Sequence, residues 1–157
     1  MPRFELVTNI QAATEDCFAL SLLVDAHTAS MGRSAERAVG GVTSGHLQLG
    51  QTVTWRARHF AFTFRMTSQI TAYERPHRFV DQQVRGPFAS WWHEHRFDGH
   101  ELATTMTDVI EYRSPAGPLG LLLDRLLLER YMRRLLEQRN RWLKAQLEDE
   151  VARTFGL

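Results

Sequence analysis

The stretch Trp91-Trp92-His93-Glu94-His95-Arg96-Phe97 decides how this chain is expected to fold. An extended strand sends alternate side chains to opposite faces, so the stretch divides into two sets. The odd-numbered set, which is rich in aromatic rings and imidazoles, consists of Trp91, His93, His95 and Phe97. A strand with such a face is expected to form one side of an internal cavity.

A second strand with the same alternation follows Gly99. A loop of even length around Asp98-Gly99-His100 pairs its alternate residues with the first set, so that both strands build one wall. An ordinary packed core would be aliphatic at these positions. Polar groups among aromatic rings favour a cavity with a few orienting groups, as small-molecule sites have. The alternate residues of this second strand are Leu102, Thr104, Met106, Asp108, Ile110 and Tyr112.

Length and composition bound the class of protein. The 157 residues are most simply one domain, 1–157, long enough to bury roughly 68–70% of the unfolded surface without disulfides or metals. The single cysteine excludes an intramolecular disulfide, and no signal-peptide pattern is present, which predicts a cytoplasmic protein. No apolar run approaches the ~20 residues of a membrane span. The balanced net charge of +1 argues against a nucleic-acid partner.

The first third of the chain predicts one strand and two short helices. Apolar residues alternate with polar ones over 3–10, which is typical of a strand. Thr14 is expected to be the N-cap of a helix whose first turn is acidic, and a second short helix is expected over 23–31. Cys17 is expected to be a small core residue.

The middle of the chain predicts the remaining strands. The β-rich stretch 52–85 is too long for one strand, and a turn is clear at 74–77. The bend needed near 59–62 has no Gly or Pro to mark it. Two further strands, at about 88–97 and 102–112, bring the antiparallel sheet to six or seven strands.

The tail from Pro118 to about Glu148 predicts helix, because its apolar residues follow two stripes of helical period. The stripes are displaced by nearly half a turn, which favours a short helical turn that feeds a longer helix beginning near Asp124. At ~1.5 Å per residue that helix reaches ~37 Å, enough to cross a sheet and cover the cavity. The first stripe is Leu119, Leu122, Leu123 and Leu126, and the second is Leu128, Tyr131, Met132, Leu135, Leu136, Trp142 and Leu143.

Several short segments, together with the order of elements, resemble the START-like, helix-grip superfamily. This superfamily includes the birch pollen allergen and the polyketide cyclase/dehydrase-type proteins, and the similarity to its bacterial single-domain members covers nearly the whole chain. The segments are Val39-Gly40-Gly41, Ser44-Gly45-His46-Leu47-Gln48-Leu49-Gly50, Val53-Thr54-Trp55-Arg56-Ala57-Arg58-His59-Phe60, Met66-Thr67-Ser68-Gln69-Ile70, Glu74-Arg75-Pro76, Phe79-Val80-Asp81, Gly86-Pro87-Phe88, Trp92-His93-Glu94-His95 and Thr107-Asp108.

The resemblance implies an α+β helix-grip fold. In this fold a curved antiparallel sheet of six to seven strands wraps around a long C-terminal helix, with two short helices after the first strand. It also implies a deep apolar cavity between sheet and helix. No catalytic motif is shared across the superfamily, so the resemblance assigns no catalytic residue.

The residues expected to face a ligand combine this wall with neighbouring strands. At least half of the aromatic members are expected to be plain core packing, since a sheet that grips a helix needs them regardless. Asp81 lies in a polar insertion and either it or Gln83 points inward, with an exposed edge as the alternative. The set is Trp55, His59, Phe62, Phe64, Met66, Asp81, Trp91, His93, His95, Met106, Asp108 and Tyr112. The other histidines, His27, His46, His77 and His100, are expected at the surface.

Four roles remain open for His93, His95 and Asp108, one of which is simply to hydrogen-bond a carbonyl or hydroxyl group of a ligand. Structural histidines satisfied by Asp108 or by a backbone carbonyl are the commonest arrangement. A His beside a carboxylate in an apolar pocket is also a sensible acid–base pair, which makes these three residues the catalytic candidates of an enzyme. A metal site is least favoured, because no HExxH or CxxC spacing accompanies the pair and no fourth ligand is evident. No metal or cofactor is therefore expected.

Three functional hypotheses follow from the sequence. The first is non-covalent binding of a hydrophobic or aromatic small molecule, lipid or polyketide-like metabolite. The second is a cyclase or dehydratase that uses a His/Asp pair in the same cavity. The third is an interaction module for a partner enzyme, whose cavity is vestigial. Homo-oligomerisation through exposed apolar faces is left open.

Overall fold

The computed structural model describes residues 2–114 and 127–156. Within them the chain forms seven strands, two short helices, a 3-10 turn at Gly32–Ser34 and one long helix. The elements are β1 (Arg3–Ile10), α1 (Thr14–Leu22), α2 (Val24–Ser30), β2 (Arg37–Gly41), β3 (Thr52–His59), β4 (Phe62–Glu74), β5 (Arg78–Arg85), β6 (Ser90–His100), β7 (Ala103–Arg113) and α3 (Glu129–Phe155).

The strands form one antiparallel sheet in the order β1-β7-β6-β5-β4-β3-β2. Strand β7 pairs with both β6 and β1, so the last strand of the chain lies beside the first. The α+β helix-grip fold expected from the sequence is confirmed. The stretch 115–126, with the predicted first stripe and the short helical turn, lies outside the described residues.

The pairing predicted within residues 91–112 is present, because β6 and β7 pair in the expected parity, but only Trp91, His93 and His95 of the predicted wall line the cavity. Trp91 lies opposite Tyr112, His95 opposite Asp108, and Phe97 opposite Met106. The turn comes later than expected, at the two residues between His100 and Ala103. Its length is even, so the same side chains share a face.

Gly99 is not the turn residue that the sequence suggested, but a position of close approach inside β6. A Cβ atom at Gly99 would lie 2.4 Å from Thr14 Oγ1 and 2.6 Å from the Ala103 carbonyl oxygen. Thr14 is also not an N-cap: it is the first residue of α1, behind Ala13, and its hydroxyl lies 3.2 Å from that of Thr104. Its side chain forms a hydrogen bond between α1 and the sheet and does not cap the helix.

The bend that the sequence left unmarked is a two-residue turn between β3 and β4. Phe60 and Ala61 have φ values of 50° and 65°, and His59 pairs with Phe62 on either side. Two-residue hairpins of type I′ require positive φ at both central positions, which is why Asn and Gly usually occupy them. This chain makes the turn with two residues that resist the conformation.

Helix α3 crosses the inner face of the sheet and ends at Gly156, whose φ is 70°. It extends beyond the predicted end near Glu148, since the terminating glycine comes later. Its second predicted stripe is directed inward, and Leu136 and Leu143 are buried. No helix in the described ranges is long and apolar enough to cross a membrane.

The main core lies where α1, α3 and the sheet meet. Phe18 packs edge-on against Phe79 and Phe97, with ring centroids 5.6 and 5.7 Å apart. Cys17 is fully buried beside it, as the sequence predicted, and burial raises the pKa of its thiol to about 11. Leu143 and Leu147 of α3 pack into the same core, so side chains fill this end of the space between helix and sheet.

The strained turn predicts that Ala61→Gly raises the free energy of unfolding by up to ~1 kcal/mol. The left-handed region costs a non-glycine residue roughly 1–2 kcal/mol, and the larger entropy of an unfolded glycine offsets part of the gain. Urea unfolding of both proteins measures the difference. The matched control is Ala145→Gly, an exposed position of α3, which should lower stability by about 1 kcal/mol. A loss of stability at position 61 would contradict the prediction.

Candidate functional site

An apolar cavity of about 320 Å³ lies between the inner face of the sheet and helices α2 and α3. Its volume is at the lower end of the roughly 300–1,000 Å³ range of small-molecule sites. Strands β3 to β6 form one side. Helix α3 supplies the opposite side through Leu128, Tyr131, Met132, Leu135 and Leu136. The long helix therefore covers the cavity, as the sequence analysis expected.

Most residues predicted to face a ligand line this cavity. They alternate along β3 to β6, because every second residue of each strand is directed to the concave side. They are Trp55, His59, Phe64, Met66, Asp81, Trp91, His93 and His95. Of the two inward alternatives weighed at the polar insertion in β5, Asp81 lines the cavity, whereas the Gln83 side chain bonds the backbone of Phe88.

Four predicted residues lie outside the lining. Phe62 is opposite His59 but at the end of its strand, where 69% of it is exposed. Met106, Asp108 and Tyr112 are fully buried, because other parts of the chain cover the inner face of β7. The Met106 sulfur contacts Ser21 of α1 at 3.9 Å. These three contribute to packing or to polar contacts behind the cavity surface.

A cluster of two imidazoles between two carboxylates lies at one end of the cavity. His93 Nε2 is 2.9 Å from Asp108 Oδ1, and His93 Nδ1 is 3.5 Å from Asp81 Oδ2. His95 Nε2 is 3.0 Å from Asp81 Oδ2, and His95 Nδ1 is 2.9 Å from Asp108 Oδ1 without the alignment of a hydrogen bond. The two rings lie 3.8 Å apart between their centroids. Each imidazole therefore bridges the same two carboxylates.

Asp108 is the buried anchor of this cluster. Asn140 Nδ2 donates to Asp108 Oδ2 at 2.6 Å, and Arg139 Nη1 lies 3.5 Å from Asp108 Oδ1. Burial alone would raise the pKa of Asp108, but its contacts with His93 and His95 and the nearby positive charges hold it well below its ordinary value. Asp108 is an acceptor that connects the sheet to α3.

Asp81 forms the side of the cluster that faces the cavity. Asp81 retains 22% exposure of its side chain. Burial would raise its pKa, but the hydrogen bond with His95 and the charges of both imidazoles lower it overall. Burial lowers the pKa of His93, and the neighbouring His95 lowers it further. The cluster thus presents one ionised carboxylate and two ring nitrogens toward the cavity.

A second group of polar side chains lines the cavity near α2. His27 Nε2 lies 3.1 Å from Glu36 Oε1, and the His27 ring lies 4.2 Å from the Trp55 ring. Burial would raise the pKa of Glu36, but the charge and hydrogen bond of His27 lower it overall. His59 Nδ1 lies 2.6 Å from the Tyr131 hydroxyl; burial lowers the pKa of His59 and raises that of Tyr131. This group offers hydrogen bonds away from the first cluster.

Sequence reasoning missed several of these side chains. His27 was expected at the surface, but α2 turns it into the cavity and only a quarter of its side chain is exposed. The burial of Arg139 and Asn140 could have been predicted from the sequence, because their spacing from Leu136 and Leu143 places them on the buried face of α3. Polar residues within an apolar stripe indicate a buried partner. Nothing in the local sequence marked Glu36.

The first cluster has two chemical capacities. The imidazoles and carboxylates can hydrogen-bond a ligand oxygen or move a proton to or from it. The apolar walls around them exclude water, which strengthens such interactions. The arrangement fits recognition of a largely apolar molecule with a few oxygen atoms.

Solved structures with the same fold include a protein from Thermus thermophilus and an aromatase/cyclase from Streptomyces. TTHA0849 from Thermus thermophilus superposes with a TM-score of 0.76 at 16% identity, over 95% of this chain and 99% of that one. The Zhui aromatase/cyclase from Streptomyces sp. R1128 gives 0.76 at 13% identity, over 96% and 95%.

A third structure is the di-domain aromatase/cyclase StfQ from the steffimycin biosynthetic pathway. It gives a TM-score of 0.72 at 14% identity, over 96% of this chain and 51% of that one. No protein-family model and no curated protein matches the sequence. At these sequence identities the similarity shows only the helix-grip fold. The function has to be inferred from the residues of the site.

The anchoring role of Asp108 predicts that Asn140→Ala lowers the free energy of unfolding by about 3 kcal/mol. The change leaves one oxygen of a buried carboxylate without its amide donor, and unpaired charged groups are costly. Urea unfolding at neutral pH measures the loss. Arg141→Ala, at the exposed neighbouring position, should stay within about 0.5 kcal/mol of the unmodified protein. Equal effects of the two variants would argue against the anchor.

Proposed function

We propose that the protein binds a hydrophobic or aromatic small molecule, such as a lipid or a polyketide-like metabolite, in the cavity under α3. The observation that carries this proposal is the cavity itself. Leaving about 320 Å³ unfilled beneath α3 adds no stability, since protein interiors otherwise pack densely. Its lining is mainly apolar, which suits a ligand with a large apolar body.

Two buried polar atoms support a ligand that also carries hydrogen-bonding oxygens. Ser68 and Trp91 both line the cavity. The Ser68 hydroxyl oxygen and the Trp91 indole nitrogen have no hydrogen-bond partner within the described chain. Buried polar atoms nearly always have a partner in protein, water or ligand. A ligand oxygen near Trp91 would accept from its indole N–H.

A second candidate function is a cyclase or dehydratase that acts on a polyketide-like substrate. The observation that favours it is the placement of His93 and His95 on the cavity wall, with Asp108 behind both rings. In this function an imidazole would remove or deliver a proton at the substrate, and Asp108 would orient the ring. The named likeness to aromatase/cyclases is consistent with this function at the level of fold.

An interaction module with a vestigial cavity is the third candidate. It requires no open space beneath α3, so the cavity gives this candidate no support. Co-purification decides between it and ligand binding: native mass spectrometry of the fresh protein, followed by denaturation, would release and identify a bound apolar compound.

The binding proposal predicts that filling the cavity abolishes uptake of an apolar fluorescent probe such as 1-aminoanthracene. Ala57 lines the cavity on β3, and Ala57→Phe should weaken probe binding at least tenfold because the new ring occupies the space. Fluorescence titration measures the dissociation constant. Arg56→Phe places the same ring on the exposed side of the same strand and should change affinity less than twofold. Unchanged binding in the Ala57 variant would locate the probe elsewhere and count against the proposal.

The enzyme candidate predicts a separation of turnover from affinity. His95→Gln should reduce the rate of cyclisation of a linear polyketide mimic by roughly 10²–10⁴, the usual contribution of a general acid or base. Its affinity for the same compound should change little, because glutamine preserves size and polarity. Steady-state kinetics and a binding titration give the two quantities. A change in affinity alone would leave binding as the only function of the cavity.

A further inference from the structure

Three side chains at the cavity end of the first cluster have the composition of a metal site. Asp81, His93 and His95 each offer a ligand atom, and these atoms all lie within 4.8 Å of one another. Asp81 and His93 are paired across β5 and β6, and His95 is two residues farther along the same face. Hydrogen-bonded strands thus fix the positions of all three backbones.

The orientation of the His93 ring is also set from the side away from the cavity, by the hydrogen bond between its Nε2 and Asp108 Oδ1. His95 Nδ1 lies 2.9 Å from the same Asp108 oxygen, and His95 Nε2 is hydrogen-bonded with Asp81. Histidines that ligate metals usually direct their other ring nitrogen toward a carboxylate or carbonyl, which sets the tautomer and aims the free lone pair. Asn140 holds Asp108 in turn. The outer support that a metal site needs is therefore already built and buried.

The contacts of His95 on both sides of its ring leave a place for a cation. If neutral His95 carries its proton on Nε2, it donates to Asp81, and its Nδ1 lone pair lies 2.9 Å from the Asp108 oxygen. If the proton is on Nδ1, the Nε2 lone pair lies 3.0 Å from the Asp81 oxygen. Either tautomer leaves two lone pairs in contact. A second proton or a metal ion between His95 and Asp81 removes the repulsion.

The charges around the cluster also favour binding of a cation. Asp81 and Asp108 supply two negative charges, and Arg139, 3.5 Å from Asp108, supplies one positive charge. Counted without the imidazoles, these three groups sum to −1, and the ion pair of Arg139 is with Asp108 and not with Asp81, the carboxylate nearest the cavity. A cation bound beside Asp81 would be attracted by that excess charge.

We propose that Asp81, His93 and His95 bind a first-row divalent transition-metal ion such as Zn²⁺ or Fe²⁺ at the end of the cavity. Two imidazole nitrogens with one carboxylate oxygen suit these ions, whereas Mg²⁺ and Ca²⁺ prefer oxygen ligands throughout. Three protein ligands leave a position open toward the cavity. The site differs from the metal site that the sequence disfavoured, because Asp81 replaces Asp108 as the carboxylate ligand and Asp108 instead supports the rings.

A consequence for the ligand rests on the proposed function. A metal ion at this position would coordinate an oxygen of the molecule in the cavity, so a carbonyl- or phenol-bearing ligand would be preferred over a plain hydrocarbon. The metal site itself does not depend on the apolar ligand. Metal titration and probe titration therefore fail independently of each other.

The test is titration of the chelator-treated protein with ZnCl₂ by calorimetry, and with CoCl₂ by visible absorption. One ion per chain is expected, with the ligand-field bands of nitrogen- and oxygen-coordinated Co²⁺. Asp81→Asn should weaken Zn²⁺ binding at least 100-fold, since it removes a charged ligand on the cavity side. Asp149→Asn, an equal change of charge on the exposed surface of α3, should alter it less than twofold. Circular dichroism verifies that both variants fold.

A second pair of variants separates ligands from support. His95→Gln should also weaken Zn²⁺ binding at least 100-fold, whereas His46→Gln, at an exposed histidine, should leave it unchanged. Asp108→Asn should weaken it about 10- to 100-fold while the Co²⁺ spectrum persists, as expected of a residue that positions the rings. Absence of Zn²⁺ binding at millimolar concentration, or equal affinity of the Asp81 variant and the unmodified protein, would overturn the proposal.

Discussion

The structure depends on one buried carboxylate. Asp108 is fully buried in β7, and a charge in that position persists only when it is surrounded by donors. The partners come from two directions: His93 and His95 on the paired strand, and Arg139 and Asn140 on α3. Because these partners belong to separate elements, satisfying Asp108 fixes how the helix lies across the sheet.

The cavity follows from that fixed position. Beyond the anchor, Leu143 and Leu147 pack into the main core around Phe18. On the other side of the anchor, the helix passes over β3 to β6 and the space beneath it stays open. Hydrophobic attraction alone would favour collapse of that space. The buried polar contact limits the collapse, because moving the helix would break hydrogen bonds to a desolvated charge.

The sequence predicted what depends on local periodicity. The two-residue alternation from Trp91 to Tyr112 was sufficient to predict which side chains share the inner face, since an even turn of any length preserves the faces. What it could not supply depends on distant contacts. The turn at Phe60 and Ala61 has no propensity signal, because tertiary pairing forces an unfavourable φ. His27 reads as a surface residue within α2, and only the fold brings it to Trp55.

The two carboxylates of the cluster formed by Asp81, His93, His95 and Asp108 have different roles: one supports the fold and the other faces the cavity. Its Asp108 side is enclosed by α3, so changes there act on stability. Its Asp81 side is partly exposed to the cavity, so changes there alter what the cavity can hold without removing the anchor. The two imidazoles lie between these sides. The hydrogen bond of His93 Nε2 with Asp108 determines where His93 Nδ1 points, and the hydrogen bond of His95 Nε2 with Asp81 orients the second ring. The placement of two ring nitrogens beside one carboxylate thus follows from how the helix is attached to the sheet. Substitutions at residues that face only the cavity can therefore change which ligand is bound, while the contacts of Asp108 still hold α3 on the sheet.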